Sequence, residues 1–119
     1  MLAVAHLAKS RTAQILFLHS LSHTLYDLVL IQEPYLDFKA LTRATSFWRV
    51  VYPHRHHDHP DRVLSRSPRL PEDTYLTLIL VNTSISTGSW TSLDLPSMDI
   101  TAIRIATETG PLIIFNIYN

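Results

Sequence analysis

Four consecutive apolar residues, Leu28, Val29, Leu30 and Ile31, stand between Asp27 and the polar group Gln32, Glu33, Pro34. A short apolar run without alternation, bounded on both sides by polar residues, reads as a strand hidden on both faces. Such a strand needs a layer of structure above and below it, so this run alone demands a layered sheet protein. Pro34 has no N–H to give to a ladder and closes the strand. Glu33 therefore falls at the carboxyl end, where ligands collect in open α/β sheets. A carboxylate there is placed to hold a hard cation such as magnesium, which takes oxygen ligands and keeps several waters. The same spacing also describes a solvated strand-end glutamate.

The residues before this run supply one of the layers. Leu2 to Leu7 reads as a short strand. Ser10 is a good N-cap, and a helix is predicted from Arg11 to about His23. Its apolar stripe is expected to be Ala13, Leu16, Phe17 and Leu21, with Ile15 and Leu18 alongside. His19 and His23 lie four apart and could face one cation. No carboxylate accompanies them at metalloprotease spacing, so they read as helix surface. Strand, helix and buried strand make a βαβ-like opening.

Further on, the pattern becomes one of strands and turns. Strands are expected over Phe47 to Tyr52, Thr74 to Asn82, Trp90 to Leu95, Ile100 to Ala106 and Leu112 to Tyr118. Turns are expected at Ser84 to Ser89 and at Glu108 to Pro111. Successive strands with short connections favour antiparallel pairing. The expected class is α/β, mostly antiparallel, with one main helix, in a single domain over 1–119.

Charge is balanced over the whole chain but not along it. Between Lys39 and Arg69 stand seven basic residues, Lys39, Arg43, Arg49, Arg55, Arg62, Arg66 and Arg69, against Asp58 and Asp61, a local excess of +5. An arginine-rich segment of this kind fits a phosphate-contacting surface; it fits a solvated loop equally. Within it, His54, His56, His57 and His59 in HRHHDH could bind a transition metal together with Asp58. Drawn from one continuous run, they read as an exposed loop. The chain has no cysteine, which removes disulfides, thiol nucleophiles and cysteine–zinc sites and is compatible with an intracellular, including nuclear, compartment. No apolar run approaches the roughly 18 residues of a membrane span, and Met1 to Ala5 lacks the basic leader of a signal peptide.

Several blocks in order carry a resemblance: IQEPYLD from Ile31, TRATSFWRVVYP from Thr42, LVNTSISTGSW from Leu80, DITAIRI from Asp99 and IIFNIYN from Ile113. They resemble the endonuclease/exonuclease/phosphatase superfamily with its deoxyribonuclease-I-like fold. More narrowly, they resemble the endonuclease domain of non-LTR retrotransposon polyproteins, especially fungal ones. The resemblance implies the N-terminal half of a four-layer α/β sandwich. It implies a magnesium-dependent phosphodiesterase acting on DNA, with Glu33 as the metal-holding carboxylate and Tyr118 as the tyrosine that contacts the scissile phosphate.

Two departures accompany it. The family's Asn-x-Asn pattern on the first strand is replaced by His6 and Ala8. Histidine prefers softer ions than magnesium, and alanine offers no polar group. The family's Gly-Asp-x-Asn strand and terminal Asp-His pair are absent up to Asn119. The expectation is a truncated endonuclease domain, inactive alone. The alternatives are a non-catalytic nucleic-acid-binding α/β module and a phosphatase-like member of the same superfamily. A further expectation follows from hydropathy. Leu78 to Val81, Ile103, Ile105 and Leu112 to Phe115 are more apolar than one sheet with one helix can cover, so an exposed apolar face and self-association are expected.

Overall fold

The buried strand is where the sequence requires it. A computed structural model describes residues 1–37, 39, 41–42, 44–53, 76–97 and 99–118. Among them are β1 (Leu2–His6), α1 (Arg11–Ser20), β2 (Leu28–Gln32), β3 (Trp48–Val51), β4 (Thr77–Asn82), β5 (Trp90–Leu93), β6 (Ile100–Thr107) and β7 (Gly110–Ile117). One sheet has the order β1-β2-β4-β3 and the other β5-β6-β7. β1 and β2 run parallel, joined by α1, which makes the expected βαβ opening. Every other pairing is antiparallel. The chain is thus a small α/β fold of two sheets and one helix.

β2 and β4 are hidden on both faces because each face has its own cover. Val29, Ile31, Leu78 and Leu80 point to the helix side, with Leu7 and Trp48, under Phe17, Leu18 and Leu21. Leu28, Leu30, Ile79 and Val81 point the other way, with Val51, under Ile103, Ile114, Ile85 and Trp90 of the second sheet and its approach. Each fully buried side chain of this size contributes about 1.5–3 kcal/mol. The second sheet lies over β2 and β4. By register, Leu2 and Val4 of β1 share a face with Leu28 and Leu30, yet they stay 47% and 64% exposed. β1 is the edge the second sheet does not cover.

The helix departs from expectation in length and in facing. It ends at Ser20, with Leu21 extended and its N–H on the Phe17 carbonyl. The Ser20 hydroxyl takes the same carbonyl, and the two bonds close the last turn before His23. Ser10 caps the start as expected, its Oγ accepting from the Ala13 N–H at 3.0 Å. The inward stripe is Gln14, Phe17, Leu18 and Leu21, and Ile15 and Leu16 face solvent. A polar residue heads the stripe because its amide is fully used. Gln14 donates to Thr42 Oγ1 at 2.7 Å and accepts from the Tyr35 N–H at 2.9 Å. Thr42 in turn donates to the Tyr35 carbonyl and, through its N–H, to the Tyr52 hydroxyl. The helix so pins the chain that leaves Glu33. His23, beyond the helix, stacks flat on Phe47 at 3.7 Å, so it shares no helix face with His19.

The remaining boundaries shift by a few residues. β1 stops at His6, β3 covers Trp48–Val51, β5 ends at Leu93, and β7 begins at Gly110 with Pro111 opposite Ala106. β7 is an edge strand, which is why it tolerates a proline. Gly110 has φ 124°, open to glycine alone at low cost. The start of the Thr74 strand and the HRHHDH run fall outside the described residues.

The expected surplus of apolar surface is only partly present. Leu78 to Val81 and Ile103 are fully covered by the two layers, which corrects their inclusion. Leu112, Ile113, Phe115 and Ile117 of β7 remain about half exposed.

What joins the sheets besides apolar contact is polar and lies at one end. Asn116, 2% exposed, sends its Nδ2 from β7 to the carbonyls of Ile31 at 2.9 Å and Leu78 at 2.8 Å. Those two residues face each other across β2 and β4. Thr77 and Thr101 bridge the sheets hydroxyl to hydroxyl at 2.6 Å. Asn116→Ala leaves two buried carbonyls short of a donor, so a loss of about 2–4 kcal/mol is expected in urea unfolding. A loss under about 0.5 kcal/mol, the scale of a surface change, would mean that these bonds do not hold the sheets together.

Candidate functional site

Three side chains meet at the carboxyl ends of three strands. His6 is the last residue of β1, Glu33 follows β2, and Tyr118 follows β7. His6 Nε2 lies 2.5 Å from Glu33 Oε2, and the Tyr118 hydroxyl donates to Glu33 Oε1 at 3.1 Å. Both carboxylate oxygens are therefore engaged. The Glu33 side chain is 21% exposed and that of His6 59%, so the group opens to solvent on one side.

The main chain around it is unusual. Glu33 leaves β2 with φ 50°, its N–H on the Leu76 carbonyl at 2.9 Å and its own carbonyl accepting from the Lys9 N–H at 2.8 Å. Ala8 and Lys9 also have positive φ, 50° and 60°. Left-handed backbone costs an ordinary residue roughly 1–2 kcal/mol. Three such residues at one sheet end concentrate strain where ligand-handling residues often sit. Nearby, Gln32 Nε2 donates to the Ile117 carbonyl at 2.9 Å, and the Tyr118 N–H to the Asp99 carbonyl. Together with Asn116, these bonds fix the end of β7 against the end of β2 and so set the Tyr118 ring on Glu33.

The electrostatics follow from the contacts. The hydrogen bond with His6, then that from Tyr118, holds the Glu33 carboxyl below its ordinary value. The charges of His6 and Lys9 act in the same direction, while partial burial opposes them. Donating to a carboxylate raises Tyr118 above the usual tyrosine range, since losing its proton would leave two anions in contact. Glu33 is thus anionic and Tyr118 a neutral hydrogen-bond donor across the neutral range.

These residues do not form a magnesium site by themselves. Among the described residues no three of His, Asp and Glu come together. Magnesium wants near-octahedral oxygen ligation, and here one carboxylate stands beside an imidazole. Ala8, beside them, brings no polar side chain.

Of the basic residues, Lys39 and Arg49 lie among the described residues, and both are exposed. Arg49 sits on β3 opposite Val81, which pairs with Leu28. That is the far end of the sheet from Glu33, roughly 17 Å along the strand at ~3.3 Å per residue. Arg43, Arg55, Arg62, Arg66 and Arg69 fall outside the described residues. Sequence reasoning missed Asn116, Gln32 and the Thr77–Thr101 pair. Asn116 carried a legible sign: it shares the inward parity of Leu112 and Ile114, and a polar residue on a buried face needs named partners.

No family model, curated protein or solved structure matches the chain. No helix among the described residues is long and apolar enough to cross a membrane.

Two outcomes are expected from this geometry. Glu33 has a lower pKa folded than unfolded, so its contribution to stability is present above the unfolded carboxylate range and is lost as pH falls through the folded value. Tyr118, raised on folding, keeps its contribution below the usual tyrosine range and loses it as pH rises through the folded value. The stability gap between the native chain and Glu33→Gln should be constant through neutral pH and shrink on acidification. Urea midpoints at pH 7 and pH 3 measure it, and an unchanged gap would contradict the assigned contacts. Ala8→Val, which forces a β-branched side chain into left-handed backbone, should cost at least about 1 kcal/mol, whereas Ala8→Gly should cost nothing. Equal stability of the two variants would remove the strain from this site.

Proposed function

We propose that this chain is a phosphodiester-binding relative of the magnesium-dependent endonucleases of non-LTR retrotransposons, and that by itself it binds DNA without cutting it. The fold in this reading is the N-terminal half of a four-layer, deoxyribonuclease-I-like α/β sandwich. The observation that carries it is the convergence of His6, Glu33 and Tyr118, 27 and 85 residues from one another across Glu33, at the carboxyl end of the strands. Two of the three, Glu33 and Tyr118, are the residues that the IQEP and NIY blocks single out, and the strained backbone of Ala8, Lys9 and Glu33 lies at the same end.

The chemistry explains binding without turnover. Hydrolysis by a metal-held water needs a carboxylate-bound ion, an activated water and a group to balance the leaving oxygen. Glu33 is the carboxylate to which Tyr118 donates a hydrogen bond. A phosphodiester approaching Glu33 meets Lys9 and, when it is protonated, the His6 imidazolium, which offset the carboxylate charge. The Tyr118 hydroxyl can turn from Glu33 to a phosphate oxygen without losing a hydrogen bond. The excess of positive charge from Lys39 to Arg69 supplies the sequence-independent attraction.

Fluorescence anisotropy with a short labelled duplex tests binding. Affinity should fall at least tenfold between 50 and 200 mM salt, as counterion release requires. Tyr118→Phe should weaken it severalfold at constant salt slope. Absence of binding at 50 mM salt would end this reading. Supercoiled plasmid with magnesium should remain un-nicked; nicking that disappears in Glu33→Ala would show that the chain is a complete catalyst after all.

A further inference from the structure

At the other end of β7 from Glu33, the second sheet carries a recess of about 380 Å³ where its strands meet the short 3-10 turn Thr87–Ser89. We propose that this recess binds a small monocarboxylate with a compact apolar body, and that Arg104 holds the carboxylate. The inference does not rest on the DNA-binding reading, because it concerns different residues and a ligand without phosphate.

Strand register explains the chemistry of the recess. Ile103 is fully buried against the first sheet, so Arg104, the next residue on β6, points away from that sheet. Arg104 stands between Thr91 of β5 and Ile113 of β7. Two residues on, Ala106 stands opposite Pro111 on the same face. One half of the lining is therefore polar, a guanidinium beside a hydroxyl, and the other half is alanine and proline. The space stays open because Ala106 is small and Gly110 has no side chain; a Cβ at Gly110 would meet nothing within 4 Å. The volume falls within the roughly 300–1,000 Å³ of small-molecule sites, which join apolar walls to a few convergent polar groups.

Arg104 is free to take a ligand. Among the described residues its guanidinium makes no ion pair and no hydrogen bond, and the Thr91 hydroxyl makes none either. Two other hydroxyls of the lining are taken: Ser89 Oγ donates to the Ser86 carbonyl and Thr107 Oγ1 to the Gly110 carbonyl. The free donors thus fall on one cross-strand step, where the side chains of an antiparallel pair stand about 5 Å apart. A guanidinium fork gives a carboxylate two parallel N–H bonds, and the threonine hydroxyl adds a third donor. A phosphate monoester is served less well. Among the described residues no second cation lines the recess, and Glu108, in the turn between Thr107 and Gly110, brings negative charge close to it. One guanidinium matches one negative charge.

Sodium benzoate titrated into the isotope-labelled native chain, followed by nuclear magnetic resonance, tests the assignment. The signals of Thr91, Arg104 and Ala106 should shift together and saturate, with a midpoint of about 10 mM or below. Acetate, which lacks the apolar body, and benzyl alcohol, which lacks the charge, should each bind at least about fivefold more weakly. Phenyl phosphate should bind no more tightly than benzoate. Arg104→Gln should weaken benzoate at least about tenfold. Ala106→Leu, which keeps the guanidinium and fills the recess, should do the same. Both positions are exposed, so urea midpoints should stay where they are and mark the loss as that of a site. The comparison of the four probes on the native chain stands whatever a variant does to the fold. Shifts that grow without saturating, acetate or phenyl phosphate bound more tightly than benzoate, or benzoate affinity unchanged in Arg104→Gln would overturn the proposal and leave Arg104 a solvated surface residue.

Discussion

The Asn116 carboxamide is the contact on which the arrangement of this protein depends. β2 and β4 pair into one sheet and β7 belongs to the other, and apolar packing alone is non-directional. It would permit the second sheet to slide over the first. Two hydrogen bonds from one buried amide to the carbonyls of Ile31 and Leu78 do not permit it. They fix β7 in register against the β2–β4 pair. An unsatisfied buried amide or carbonyl costs about 1–3 kcal/mol, so a slipped arrangement is penalised several times over.

The site is a consequence of that fixed register. Two residues beyond Asn116, the chain delivers Tyr118 to Glu33, and two residues beyond Ile31, the chain delivers Glu33 to Tyr118. The Thr77–Thr101 and Gln32–Ile117 bonds lie at the same end. This end is polar and hydrogen-bonded between the sheets, and the body of the layers is apolar. The sheets are thus held most firmly at this end. The opposite end, where Arg49 sits, has no such polar bridge between the sheets among the contacts described above.

The second constraint comes from the helix side. Gln14 occupies a core position on α1 and satisfies both ends of its amide on Thr42 and Tyr35. It ties the segment after Pro34 back to the helix, so the turn that carries Glu33 is held from both sides. The left-handed backbone at Ala8, Lys9 and Glu33 persists because these surroundings over-determine it. β1, in contrast, is left with Leu2 and Val4 uncovered, and β7 with Phe115 and Ile117 half exposed. The layers protect the two central strands fully and the edges incompletely.

The sequence by itself determined the doubly buried β2, the βαβ opening, the Ser10 cap, the order of strands and the place of Glu33 at a strand end. Each rests on local pattern: a run length, a capping residue, a proline, a two-residue alternation. It did not determine which helix face is buried. Ala13, Leu16 and Phe17 made a plausible apolar stripe, and only the demand of Tyr35 and Thr42 for partners selects the face headed by Gln14. Nor could it show that Leu78 to Val81 are fully covered, since Leu78 and Leu80 lie under a helix from the start of the chain and Ile79 and Val81 under a second sheet formed by later strands. The meeting of His6, Glu33 and Tyr118 was decided by tertiary structure alone. Pairing across 85 residues depends on how one sheet docks on another, and that docking is governed by a handful of buried polar bonds whose partners no local pattern names.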